Sequence, residues 1–141
     1  MQRKVPSFHT TRRVEFRDTD AAGIVHFSAF FFYMESAEHE LLRHLGLSVL
    51  TAAPDGPITW PRVSVSCDYQ SAVEFENVLD VDVRIGRLGE KSVAYEFNFT
   101  CDGRQVARGK TVAVCCRFEP TGPKSIPIPV DIAEKLRHFA E

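Results

Sequence analysis

Apolar and polar residues alternate at two different periods along this chain, and the changes of period mark out its elements. Val14 and Phe16 alternate with Arg13, Glu15 and Arg17, which predicts a first strand ending near Asp18. A loop of small residues through Ala21, Ala22 and Gly23 follows. From about Ser28 to Leu45, Phe30, Met34, Ala37, Leu41 and Leu45 recur at helical spacing, and Phe31, Tyr33 and Leu42 widen the stripe. One long helix with a buried face is expected there. Gly46 suits the position just past its end, and Arg43 and His44 put positive charge at the carbonyl end of the dipole. After a connection from Ala53 to Pro61 the period becomes two. The rows Val63, Val65, Cys67, Tyr69 and Leu79, Val81, Val83, Ile85 each predict a strand with one buried face. Val93, Tyr95, Phe97 and Phe99 predict a third strand, and Val106 to Phe118 one last long strand after an Asp102-Gly103 turn. Pro120, Gly122, Pro123, Pro127 and Pro129 interrupt regular structure before a short terminal helix around Ile132 to Phe139.

Strand, helix and four strands in succession leave no crossover helices for a parallel sheet, so the class is α+β. The expected architecture is an antiparallel five-stranded sheet wrapped around one long helix, a single domain over residues 1–141. One helix cannot cover a whole five-stranded sheet, and the uncovered edge or face predicts self-association.

Composition narrows this little. With 44% apolar and 26% charged residues the chain is an ordinary globular one. A net charge of −2 with scattered basic residues argues against a nucleic-acid footprint. The stretch Met1 to Thr11 lacks the apolar core of a signal peptide and no segment is long enough to span a bilayer, so a cytoplasmic location is expected. Cys67, Cys101, Cys115 and Cys116 show no CxxC spacing and read as reduced packing residues. Adjacent Cys115 and Cys116 point to opposite faces of a strand, a poor geometry for a metal.

Chemistry concentrates between the first strand and the helix. Asp18-Thr19-Asp20-Ala21-Ala22-Gly23-Ile24-Val25-His26-Phe27 holds two carboxylates, small residues that admit a ligand close to the backbone, and a histidine just before a helix N-terminus. That set suits reaction at a polarised carbonyl. By spacing alone Asp18 and Asp20 read as turn or cap carboxylates rather than catalysts, His26 as a packing or hydrogen-bonding residue and Gly23 as a turn residue.

The same run resembles the signature of the 4-hydroxybenzoyl-CoA thioesterase branch of the hotdog superfamily. The similarity extends through Tyr33-Met34-Glu35-Ser36-Ala37, Leu42-Arg43, the Val63 to Tyr69 strand, Asn77-Val78-Leu79 and Lys91-Ser92. It implies a hotdog fold and an acyl-CoA thioesterase that releases free acid and CoA, with no cofactor and no metal. It further implies a homodimer or homotetramer with the site between subunits. Asp20 matches the catalytic aspartate, nucleophile or general base, and Asp18 a less constant neighbour. Phe27 matches the residue whose backbone N–H meets the thioester oxygen. His26 stands where relatives carry Tyr or Trp, a departure that bears on any acid/base role for it. Glu35 matches an acidic position on the helix, expected as a buried, hydrogen-bonded support. Gly23, Arg87, Lys91 and Lys124 are the expected CoA contacts. A hotdog hydratase or dehydratase, using a histidine and an acid, and a non-catalytic acyl-CoA binder are the alternative readings. The signature serves aromatic and aliphatic thioesters alike, and so names no acyl group.

Overall fold

The apolar stripe forms the helix it predicts. In the computed structural model, which describes residues 6–140, α1 spans Ala29–His44 and buries Phe30, Tyr33, Met34, Ala37, Leu41 and Leu42. Of the polar N-terminal stretch, Met1–Val5 lie outside the described residues. The helix ends at Gly46, whose φ of +75° lets the Leu47 N–H reach back to the Leu42 carbonyl at 2.7 Å.

Eight strands form two sheets. They are β1 (Phe8–Arg13), β2 (Ile58–Thr59), β3 (Arg62–Tyr69), β4 (Val78–Leu88), β5 (Ser92–Cys101), β6 (Arg104–Val114), β7 (Cys116–Glu119) and β8 (Gly122–Ser125). The larger sheet has the order β1-β4-β5-β6-β3, every pair antiparallel, and curls around α1 as expected. Leu79, Val81, Val83 and Ile85 on β4 and Val93 and Phe99 on β5 are sealed from solvent beneath the helix. Asp102 and Gly103, both at positive φ, turn β5 into β6. A short helix α2 (Val130–Leu136) closes the bottom of the core with Ile132 and Leu136. Among the described residues no helix is long and apolar enough to cross a membrane.

Gly109 makes room for a helix side chain. A Cβ built there would lie 2.1 Å from the sulfur of Met34, so any other residue would force the buried Met34 side chain to repack.

Four expectations need correction. The first strand is Phe8–Arg13; the chain leaves the sheet at Val14, whose N–H turns to the Asn77 carbonyl, and Phe16 stands 78% exposed in a 3-10 turn, Phe16–Asp18. Strand β3 buries neither face, because it lies at the sheet edge, where α1 meets it at its two ends, Arg62 and Tyr69; Val63, Val65 and Tyr69 are exposed. The last strand is broken at Cys115, whose N–H bonds the Lys91 carbonyl while its own carbonyl takes the Ile126 N–H. The chain bends there into β7, which pairs with β2 and β8 in a small second sheet. Residues 122–125, read as an interruption, form β8, with Pro123 opposite Phe118 on the edge where its missing N–H costs nothing.

Candidate active site

The segment between β1 and α1 is held by its own backbone. Asp20 donates its N–H to the Ile24 carbonyl and accepts from Gly23 N–H, while Val25 N–H bonds the Val73 carbonyl. Gly23 adopts φ +81°, as that tight turn requires, and is exposed. The Asp18 carboxylate accepts the Glu15 N–H at 2.9 Å and the Tyr33 hydroxyl at 2.8 Å. Burial and then Asp18 push the Tyr33 hydroxyl far above its ordinary range, which keeps it a donor. Asp18 is thus a local cap and an anchor for α1.

Asp20 is half-buried, and its Oδ1 accepts the Ala22 N–H at 2.8 Å, the Asx turn anticipated for a loop aspartate. Among the described hydrogen bonds Oδ2 takes no part. Asp20 lines a cleft of about 360 Å³ with Ile24, Val25, Phe27, Phe30, Tyr69 and Val73. The Phe27 N–H has no protein acceptor among the described hydrogen bonds, and it lies at the mouth of α1, where the positive end of the helix dipole falls. The structure therefore brings to one cleft a carboxylate, apolar walls and a residue whose N–H is uncommitted among the described hydrogen bonds.

The other expected site residues fall elsewhere. His26 accepts at Nδ1 from the Ser28 N–H at 3.2 Å and shares a 2.7 Å hydrogen bond with Ser28 Oγ; it lines a separate cleft of about 950 Å³, together with Glu35 and Arg17. Glu35 is exposed, so the expected buried support role does not hold for it. The buried acid is Glu38, one turn on, 1% exposed and hydrogen-bonded to Arg62 of β3. The sequence carried a signal for it. Glu38 falls four residues after Met34 on the buried stripe, where an acid needs a buried base. Burial lifts its carboxyl to about 7 against the opposing pull of Arg62, and its Oε1 has no partner. Arg87, Lys91 and Lys124 are all exposed. Arg87 and Lys91 lie at the β4–β5 turn, and Lys124 lies on β8 just past the Cys115 bend, all at the sheet end opposite the Asp20 loop. Along β4 that separation is roughly 30 Å at about 3.3 Å per residue.

Comparison with known proteins gives this arrangement a context. Residues 14–136 match the family model described as the thioesterase-like superfamily. The chain is 26% identical over 128 residues to a 1,4-dihydroxy-2-naphthoyl-CoA hydrolase of Microcystis aeruginosa, covering 91% of this chain and 88% of that one. It is 22% identical to an acyl-CoA thioesterase of Haemophilus influenzae, over 86% and 89% of the two chains. Among solved structures, a gentisyl-coenzyme A thioesterase superposes with a TM-score of 0.78 at 29% identity, covering 92% of this chain and 99% of that one. A 1,4-dihydroxy-2-naphthoyl-CoA thioesterase from Synechocystis shares the fold at a TM-score of 0.81 and 23% identity, over 93% and 96%.

Proposed function

Because the chain belongs to the thioesterase-like superfamily, we propose that it hydrolyses an acyl-CoA thioester, with Asp20 as the reacting carboxylate and the Phe27 N–H as the oxyanion donor. The observation that carries this reading is the shared cleft of the two, with Oδ2 of Asp20 uncommitted. Oδ2 attacks the thioester carbonyl, whose oxygen gathers negative charge against the Phe27 N–H. Collapse expels the CoA thiolate, which takes a proton from solvent, and water then cleaves the mixed anhydride to free acid and the restored carboxylate. Thiolate is a good leaving group and needs no strong general acid, which suits a site where His26 opens onto a different cleft. Ile24, Val25, Phe30 and Val73 favour an apolar acyl group. A panel of acyl-CoAs assayed by release of free thiol tests the proposal, and a wholly inactive panel would leave only an acyl-CoA binder.

The reading includes self-association. Two edges of the large sheet are open, but β1 presents His9, Thr11 and Arg13, the polar and charged kind of edge that resists pairing, whereas β3 presents Val63, Val65 and Tyr69. Two-fold pairing through β3 runs the strands antiparallel. It sets one chain's Asp20 end beside its partner's Arg62 end, where Arg87 and Lys91 also lie. Cations remote from Asp20 in their own chain then serve the partner's substrate. Sedimentation at micromolar concentration is expected to show a dimer or a multiple of it, and a fully active 15.9 kDa monomer would refute the arrangement. Arg87→Ala and Lys91→Ala are each expected to raise KM severalfold with little change in kcat, as for lost uniform binding. A KM indifferent to both substitutions at low salt would mark them as ordinary surface residues; Lys124→Ala is expected to act in the same direction.

A further inference from the structure

The Phe27 peptide is pinned from a strand 42 residues away. Tyr69, on the β3 edge, donates its hydroxyl to the Phe27 carbonyl at 2.9 Å. No helical hydrogen bond takes that carbonyl, since the first turn of α1 begins with Phe31 N–H to the Ser28 carbonyl and Ala29 N–H to the His26 carbonyl. The peptide that carries the Phe27 N–H is held through its His26 carbonyl, which accepts the Ala29 N–H at 2.9 Å, and the peptide before it through the His26 N–H on the Asp18 carbonyl at 2.8 Å. Packing adds little, because the Phe27 ring is 61% exposed. Phe27 is therefore held by hydrogen bonds on either side of its Cα, from Ala29 on the peptide that carries its N–H and from Tyr69 on the carbonyl side. Tyr69 also forms part of the wall of the Asp20 cleft, with its ring set edge-on to Phe30 at 5.3 Å between centroids.

From this geometry we infer that Tyr69 is a positioning residue for the reaction, fixing the oxyanion donor at Phe27 by holding the following carbonyl. The inference rests on the thioesterase reading and extends it to a residue that acts through the Phe27 peptide. A donor aimed in advance contributes to the transition state and hardly at all to the bound substrate. Loss of the hydroxyl should therefore appear in kcat rather than KM. Desolvation pushes the Tyr69 hydroxyl up to about 12, so it remains a donor throughout the pH range of an assay.

Tyr69→Phe keeps the ring and its contact with Phe30, so the strand and the fold should persist. The expected result is kcat lower by about 5- to 10-fold, the equivalent of one neutral hydrogen bond, with KM within twofold of wild type. Two inhibitors separate positioning from structure. A trifluoroacetonyl-CoA thioether, whose hydrated or adducted ketone imitates the tetrahedral oxyanion, should bind the variant more weakly by the same factor. A propyl-CoA thioether, which has no carbonyl, should bind both proteins equally. Unchanged kcat, or both inhibitors weakened alike, overturns the inference. If wild type turns over acyl-CoA and Asp20→Asn does not, while Tyr69→Phe matches wild type, the thioesterase reading stands and Tyr69 alone is misassigned. A wild-type protein that releases no thiol from any acyl-CoA removes both.

Discussion

Asp20→Asn is expected to lower kcat at least ~100-fold, the lower end for loss of a catalytic base or nucleophile, and to leave the melting temperature nearly unchanged. The amide keeps the side chain's volume, and its carbonyl oxygen still accepts the Ala22 N–H that Oδ1 accepts in wild type. The turn through Gly23 therefore survives, and with it the backbone ladder that joins Val25 to Val73. What is lost is the negative charge on Oδ2, which has no structural partner. Activity and stability should thus separate cleanly in this variant. Turnover in ¹⁸O-labelled water then distinguishes the two chemical routes. An anhydride on Asp20 leaves label in the aspartate after repeated cycles, whereas direct attack by water labels only the product acid. Wild-type turnover by the Asn variant, with deamidation excluded by mass, would end the case for Asp20.

The largest effect on stability is expected at Arg62, far from the loop. Arg62→Met leaves Glu38, 1% exposed, without its guanidinium partner and with the His39 ring 3.9 Å away as its remaining ion-pair neighbour when protonated, and breaking a buried pair costs up to about 3–5 kcal/mol. The size of the loss depends on pH in a defined direction. Glu38 titrates at its ordinary 4.5 in the unfolded chain and at about 7 in the fold, chiefly through burial, with Arg62 opposing and Glu35 adding to the rise. Between those values the folded protein holds a proton that the unfolded chain has released. Glu38 is therefore harmless to stability below about 4.5 and increasingly unfavourable as pH rises to about 7, by up to about 3 kcal/mol in all. Glu38→Gln should remove that slope and stabilise the protein at pH 8 relative to wild type. The pH-dependent part of the Arg62→Met penalty is absent at pH 5, where Glu38 is neutral, and reaches at most about 1.4 kcal/mol at pH 8, because a stranded Glu38 keeps its proton. Denaturant titrations of the three proteins at both pH values decide the matter, and an Arg62→Met penalty independent of pH would show that Glu38 carries no charge in the native state.

How much of this was legible in the sequence depends on whether each residue's environment lies within its own element. Strands β4 and β5 and helix α1 were readable because their buried rows face a core made by the same chain. Strand β1 was misplaced because its inward side is Phe8, Thr10 and Arg12. The last two bind Glu40 and Ser36 of α1 through hydrogen bonds and an ion pair, and polar contacts of that kind leave no apolar alternation. The break at Cys115 was invisible because Cys115 and Cys116 are both buried and continue the strand's composition through the bend. Strand β3 has the alternation of a half-buried strand but little cover within the chain, with Val63, Val65 and Tyr69 exposed, a mismatch that its own residues do not disclose. At the site, the motif led to Asp20 and Phe27, which share a cleft, but placed the buried acid at Glu35 rather than Glu38. Tyr69 read only as the last apolar residue of a strand.

The strand order β1-β4-β5-β6-β3 also sets a timetable for synthesis. The three central strands are joined by short turns, but both edges wait on distant partners: Phe8 pairs with Val83, and Arg62 with Ala113. A ribosome adding 5–20 residues per second leaves β1 without its neighbour for roughly 4–15 s. Over the same interval α1 has emerged with Phe30, Met34 and Leu41 bare, since the surface that will cover them is still being translated. Local pairing within the β4–β6 meander is fast, whereas the long-range edges carry the loop-closure entropy. Until Ala113 leaves the exit tunnel the β3 side of the sheet stays incomplete, and β3 is the last edge to find its place.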